Sequence, residues 1–371
     1  MTTRLPEPNF IERDADKITQ EWIALYEEKT GKKLEEAQIE RLLIDVGVYR
    51  ENLLRIKIQE VAKSNLLSYA PMEVLEHLGE LVGVNKLEGK YSKTVMKFAI
   101  NQAVNFDISI YKDTEIETKD GKFTFKTDED VILRAGETFV TVNATCETVG
   151  ADANGYESGT INSLVTPLSY DIADISNIEE SHSGADEESA DSLRERIRLA
   201  PESFSNAGSE GAYRFHTLSA HQDIIDVEVM SDRAGIVEIY PLTTSGNPSE
   251  ELIQLISNYL SSEKVRPLTD KVEVYSPERV DFSINAILTL YQDADLNTVQ
   301  TLVNERLTAF KKEMASKLGK DIVPTQIIAI LNSIYGVYKV ELQSPQYQVL
   351  TKKQWANLES FNIRIGGKAD E

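Results

Sequence analysis

Four histidines, one cysteine and several runs of adjacent acids are the side chains of this 371-residue chain with types suited to chemistry. His77, His182, His216 and His221 are scattered, and the nearest pair, His216 and His221, is five residues apart. On a helix that spacing is ~140° around the axis, a poor arrangement for sharing one metal ion. All four therefore read as solvated or capping histidines. Cys146 lies in an alternating, strand-like stretch, where a small apolar core residue is expected rather than a nucleophile. As the sole cysteine it leaves no intrachain disulfide and no multi-cysteine zinc or iron–sulfur site, and it suits folding in a reducing cytoplasm. Glu179-Glu180 and Asp186-Glu187-Glu188 offer carboxylates of the kind glycoside hydrolysis pairs. Sequence neighbours do not face each other, however, and 61 acids make such runs commonplace. The loop Asp152-Ala-Asn154-Gly155-Tyr-Glu157 has oxygen ligands suited to Ca²⁺ but not the EF-hand spacing, so a β-turn closed by Asn154-Gly155 is expected. No GxSxG elbow, HExxH, Walker A loop or GxGxxG occurs. The expectation is no catalytic residue, no metal and no cofactor.

Composition narrows the partners. A length of 371 residues suits two to four domains, each large enough for its own core. Apolar residues make up 41% and charged residues 27%, as in ordinary globular proteins. The net charge of −22 argues against duplex nucleic acid and against anionic membranes as partners. Met1 to Phe10 holds no apolar h-region, so no secretory signal is expected. The apolar stretch Pro324 to Tyr338 is too short to span a bilayer and contains Gln326 and Asn332. Charge is uneven: residues 135–193 carry 12 acids and no Lys or Arg, whereas 1–134 and 194–371 are each at net −5.

The elements that would position any site fall into four sections. Residues 1–85 read as helical. Asp14 or Asp16 caps a first helix, with Ile18, Trp22, Leu25 and Tyr26 at helical spacing and Gly31 at its end. A long helix is expected from Leu34 to Tyr69, ~50 Å, and a third from Met72 to Leu81 after Pro71. Residues 86–180 alternate, as in Phe106-Asp-Ile108-Ser-Ile110 and Phe139-Val-Thr-Val142. Asp120-Gly121 and Asn154-Gly155 are hairpin-turn dipeptides, so an antiparallel β domain, a small sandwich, is expected. Residues 181–275 and 276–371 each mix helices and strands and read as two small α/β, ferredoxin-like units in tandem. Phe361 to Ile365 is a candidate last strand. The fold class is multidomain α+β.

The long helix is the most informative element. Ile39, Leu42, Val46, Tyr49, Leu53 and Ile56 recur at a/d heptad spacing, with Leu43, Leu54, Ile58 and Val61 as a second stripe. Gly47 in its middle costs about 1 kcal/mol against Ala. A two-striped helix must pack on more than one neighbour. The flanking helices cover it within the chain, or other chains cover it; the short length of those flanking helices favours an intermolecular bundle.

One stretch goes beyond composition: Val149-Gly-Ala-Asp-Ala-Asn-Gly155, Ser158-Gly-Thr-Ile161, Ser183-Gly-Ala-Asp-Glu-Glu188-Ser and Asp191-Ser-Leu-Arg-Glu-Arg-Ile197. It resembles the baseplate J-like family of phage tails and related contractile injection machines. Members typically show a Gly-Asn turn with a Gly-Thr-Ile strand, then Gly-Gly-Ala-Asp-Glu-Glu-Ser running into an arginine-rich helix. Here Ser183 replaces the first glycine of the pair and Asn154-Gly155 stands in reversed order. The opening Leu5-Pro-Glu-Pro and the closing Lys353-Gln-Trp355 to Ile363 also look like the family, so the resemblance covers nearly the whole chain. Physically, Gly184 supplies a turn and Asp186 or Ser189 caps the next helix. Glu187 and Glu188 sit near its positive end, and Arg194, Arg196 and Arg198 near its negative end. The motif reads as a structural joint that orients a helix leaving the β domain.

The resemblance implies a non-enzymatic baseplate wedge subunit that links hub, sheath and fibres and switches on sheath contraction. It implies that the N-terminal helices join a core bundle with a second copy and a small wedge partner protein. It implies further contacts to hub or spike, sheath and fibre-attachment proteins, with lateral contacts through the C-terminal units. The location implied is the baseplate of a virion or tail-like particle, a bacteriocin included, assembled in the host cytoplasm. The rival class is a carbohydrate-active enzyme or adhesin on a β scaffold, disfavoured because no His, Asp/Glu and aromatic residues converge in sequence.

Overall fold

The computed structural model describes residues 6–35, 37–170, 172–204, 208–262, 265, 267 and 269–369; Leu5 of the opening motif lies outside them. The chain divides into two compact units, Met1–Lys86 with Leu193–Arg198, and Leu87–Ser192 with Leu199–Glu371.

In the first unit, α1 (Ala15–Thr30) starts at Asp14, whose carboxylate accepts the Asp16 N–H. It stops at Gly31, which takes φ 67° and donates to Glu27 O. Helix α2 (Ile39–Ser64) has 26 residues, ~39 Å, and begins five residues later than expected. Leu34 is the reason: it is buried beside Ile18, Ile44 and Val48 while its N–H bonds the Glu27 carboxylate, so the chain is still turning there. Gly47 has a use that offsets its propensity cost. A Cβ there would lie 2.9 Å from the Trp22 ring, so only glycine lets the indole lie against α2. Gln59 is fully buried, bonding Phe10 N–H and Pro8 O. Helix α3 (Met72–Glu80) follows Pro71, which stands at its N-cap.

The second unit begins with β1 (Tyr91–Ala99), β2 (Ile108–Ile110), β3 (Glu115–Thr118), β4 (Thr124–Thr127), β5 (Val131–Leu133), β6 (Phe139–Val149), β7 (Ile161–Leu164) and β8 (Asp174–Asn177). Six of these make one antiparallel sheet in the order β7-β3-β4-β6-β1-β8, and β2 pairs with β5. The two edge strands meet: the Asn177 side-chain oxygen accepts the Ile161 N–H, and Asn177 O accepts the Gly159 N–H. The sheet is thus a nearly closed barrel, and the sandwich expectation is corrected. Alternation in a single strand looks the same in either architecture; only the strand order separates them. Met96, Phe98, Ile116, Phe125, Val142, Cys146 and Ile161 fill the interior.

Helix α4 (Ala190–Leu199), a 3₁₀ turn (Ala200–Phe204), α5 (Glu210–Ala220), β9 (Ile224–Arg233), β10 (Ile236–Thr243), α6 (Glu250–Leu260) and β11 (Lys271–Val274) come next. The chain ends with β12 (Glu278–Leu290), α7 (Leu296–Ala315), α8 (Pro324–Asn332), β13 (Val337–Ser344) and β14 (Gln354–Lys368). The sheets run β11-β10-β9 and β13-β12-β14. In each, the middle strand has one antiparallel and one parallel neighbour. Among the described residues each sheet has three strands, so neither reproduces the four-stranded ferredoxin-like βαββαβ order. Strand β14 is three times the length of the five residues expected. Bulges at Glu359 and Gly366 absorb the register slips against β12.

The two α/β sheets are clamped together. Trp355 Nε1–H donates to Asn247 Oδ1 at 2.7 Å, and its ring occupies the space where a Cβ on Gly246 (φ 105°) would sit. Lys352 pairs with Glu228 at 2.7 Å and Lys353 with Glu238 at 3.1 Å. Arg233 first, then Tyr240 and Lys353, hold the Glu238 carboxyl at about 2. No helix among the described residues is long and apolar enough to cross a membrane.

Candidate functional site

Two places concentrate the residues singled out in the sequence: one face of α2, and the turns that end the barrel.

On α2 the heptad residues Ile39, Leu42, Val46, Tyr49, Leu53 and Ile56 are 41–75% exposed, and Leu43, Leu54, Ile58 and Val61 are exposed as well. The face that α2 buries instead carries Ile44, Val48 and Gln59. The sequence stripe is therefore not the one that packs on α1. Its residues span ~26 Å of helix. Burying a side chain of this size stabilises by about 1.5–3 kcal/mol, so leaving the stripe in water forgoes that stabilisation at each position. The polar flanks are tied within the helix by the pairs Arg41–Asp45 and Glu51–Arg55.

At the barrel end two turns interlock. Asn154 uses both ends of its carboxamide on Gly184, accepting its N–H at 2.9 Å and donating to its carbonyl at 2.7 Å. Asp186 accepts the Ala151 N–H, and the Ser181 and Ser92 hydroxyls both donate to Ala153 O. A Cβ on Gly184 would lie 2.3 Å from Gly150 O, so the close approach requires glycine. Ser183, at the position where the resemblance expects glycine, takes φ 68°, a conformation glycine adopts at less cost. Glu187 is exposed beside this turn. Ser189, not Asp186, caps α4 by accepting the Ser192 N–H. Glu188 is buried and accepts the Leu87 N–H and the Ser192 hydroxyl.

Arg194 and Arg196 do more than answer the helix dipole. Arg194 donates to the carbonyls of Leu67 and Ala70, and the buried Arg196 to that of Asn85. These are carbonyls of loops after α2 and α3, and nothing in their spacing announced them in the sequence. Asn154-Gly155 is not a hairpin turn, because β6 and β7 are not neighbours. Both ends of the Asn154 carboxamide are engaged on Gly184, and among the described residues no three His, Cys, Asp or Glu converge as a metal site.

Of the nucleophile and base candidates, Cys146 and His221 are buried, which corrects the expectation of a solvated or capping histidine at 221; His182 and His216 are half-buried and His77 is exposed. Cys146 is buried in the barrel, and burial pushes its thiol up. Burial pushes His216 down; its Nδ1 has no hydrogen-bond partner among the described residues, and its ring lies against Phe215 and Tyr259. His221 is 7% exposed and its Nδ1 accepts the Asp223 N–H. Burial first, then the Lys90 charge, pull it from 6.5 to about 4, against a small opposing effect of Asp223. An unfolded chain takes up this proton below 6.5, while the folded chain resists until about 4. The stabilisation from a neutral His221 is complete above that window and lost as pH falls through it. The melting temperature is expected to drop between those two values in scanning fluorimetry, and His221→Gln to flatten part of the drop.

Comparison with known proteins agrees with this architecture. Four family models match in chain order: the baseplate J-like N-terminal domain over residues 41–89, the barrel domain over 96–184, the central domain over 205–276 and the C-terminal domain over 280–364. The chain belongs to the baseplate J-like family. It is 34% identical over 186 residues to baseplate protein J of Escherichia phage P2, a match that covers 50% of this chain and 61% of that relative. Among solved structures, a chain of the cryo-EM structure of the anti-feeding prophage baseplate aligns with TM-score 0.43 and 12% identity, over 94% of this chain and 90% of that one.

Proposed function

We propose that this protein is a non-enzymatic baseplate wedge subunit of a contractile tail or tail-like particle, assembled in the bacterial cytoplasm. The observation that carries the reading is the ~26 Å apolar face of α2, left uncovered in a chain of family-typical domain order. In this reading Ile39, Leu42, Val46, Tyr49, Leu53 and Ile56 enter a helix bundle with a second copy and a small wedge partner protein. The segments 1–85, 86–180, 181–275 and 276–371 serve as bundle arm, barrel and two lateral arms. Hub or spike, sheath and fibre-attachment proteins are its other neighbours, and repacking of these interfaces releases the sheath. Gly184, Asp186, Glu187, Arg194 and Arg196 form the structural joint at the start of α4.

Residues 135–193, with 12 acids and no bases, repel a copy of themselves over a Debye length of ~8 Å. Lateral contact between copies then falls to the C-terminal units, where both signs are interspersed. A cryo-EM map of purified particles tests the reading. Expected are helices covering the α2 stripe, neighbouring copies touching through residues 190–371, and barrels that stand apart. A bare α2 stripe, or barrels packed on each other, overturns it.

A further inference from the structure

Within the second unit, a cleft of ≈ 560 Å³ opens between the interlocked turns of the barrel and the start of α6. Its lining includes Lys90, His182, His221 and the apolar Leu252 and Leu255. Lys90 has neither hydrogen bond nor ion pair for its ammonium among the described residues, and desolvation alone lowers its pKa. In a chain with 61 acids against 39 bases, a half-buried lysine that pairs with none of the carboxylates lining its cleft stands out. The neighbouring His221 ring, more than nine-tenths buried, spends Nδ1 on Asp223 N–H. The neutral ring therefore carries its proton on Nε2, and that donor has no acceptor among the described residues. Two donors, one of them charged, thus line the cleft with no acceptor from the described residues, and both remain open to a guest.

The carboxylates that also line the cleft restrict the guest. Asp223 is engaged by the Thr244 hydroxyl, and Glu251, held low by its own backbone N–H and by Ser249, stands at the start of α6. Glu180 is exposed, and Glu179 pairs with His182 at 3.6 Å. A run of acids would be repelled by Glu180 and Glu251, so the acidic guest residue must stand alone, flanked by neutral or basic residues.

We propose that this cleft receives a single carboxylate side chain from a neighbouring subunit of the particle, held by the Lys90 ammonium and the His221 Nε2–H, with Leu252 and Leu255 against its flanking residues. The inference rests on the baseplate reading. It gives the subunit an ion-pair socket distinct from the apolar α2 face.

A zero-length carbodiimide couples lysine only to a carboxylate in direct contact, so it reads the pair out. Particles and the isolated full-length subunit are treated, digested and mapped by mass spectrometry. The expected result is Lys90 joined to an Asp or Glu of another subunit in particles and left unjoined in the isolated subunit. His221→Phe, which keeps the ring volume, should lower that yield severalfold. Lys90→Met should melt no lower than the parent as an isolated subunit, since it removes an unpaired desolvated charge, yet lose at least tenfold in particle incorporation. Three results overturn the inference: Lys90 unjoined in particles, Lys90 joined only within its own chain, or acetate or phosphate shielding Lys90 of the isolated subunit from acetylation as fully as assembly does, which marks a small-anion site. If the subunit is missing from particles altogether, the baseplate reading itself has failed.

Discussion

Subunits carrying Val46→Asp or Leu53→Asp are expected to stay folded yet fail to enter particles. Both side chains are exposed on α2, at 63% and 44%, so an aspartate at either is solvated in the free chain and costs its stability little. In an assembled bundle the same carboxylate would be buried without a partner, which costs several kcal/mol. A loss of about 4 kcal/mol is roughly a thousandfold in association. The measurement pairs a thermal melt of the isolated subunit with quantitative mass spectrometry of purified particles. An unchanged melt with incorporation reduced by at least a hundredfold is the expected outcome. Normal incorporation of the double variant would show that nothing covers this face. Ile44→Asp is the internal control, because Ile44 is buried on the opposite side and its substitution should unfold the N-terminal unit instead.

The second large effect concerns the interlocked turns. Gly184→Ala places a methyl group 2.3 Å from the Gly150 carbonyl oxygen and 2.8 Å from Asn154 Oδ1. Backbone cannot retreat as a flexible side chain does, so the turns must separate and the paired Asn154–Gly184 bonds are lost. Overpacking of about 1–3 kcal/mol and two hydrogen bonds at about 1 kcal/mol each give a destabilisation of about 3–5 kcal/mol. The adjacent residue runs the other way: Ser183 takes φ 68°, so Ser183→Gly relieves a left-handed strain of about 1 kcal/mol. Urea midpoints at constant m value read both. Equal midpoints for Gly184→Ala and the parent would refute the joint as drawn.

These two sites show how much was legible before the structure. The helix caps were, because Asp14, Gly31 and Ser189 act through their immediate neighbours in sequence. The apolar stripe on α2 was also legible, since helical periodicity is local. Which stripe faces inward was not: Ile44 and Val48 are buried by Ile18 and Leu34, and that choice belongs to tertiary packing. The barrel was missed for a similar reason: the order β7-β3-β4-β6-β1-β8, which brings the consecutive strands β7 and β8 to opposite edges to meet through Asn177, is not written in the alternation of any one strand. The family motif singled out this stretch, but the hydrogen bonds of Asn154, Arg194 and Arg196 reach carbonyls 30 to 127 residues away. No spacing rule reaches that far. The cleft holding Lys90 and His221 gave no signal, because 131 positions separate the two in sequence.

The exposed face of α2 also sets a clock. Translation proceeds at roughly 5–20 residues per second, and about 300 residues of this chain follow Ser64. The greasy face is therefore outside the ribosome for some 15–60 seconds before the α/β sheets are complete. Helices of this length form in about a microsecond, so α2 is available for capture almost at once. On a polysome, several nascent chains carry it side by side while their C-terminal halves are still unmade. If α2 enters a bundle as proposed, pairing through it would precede folding of the rest, and the order of synthesis along the chain would become the order of construction of the particle.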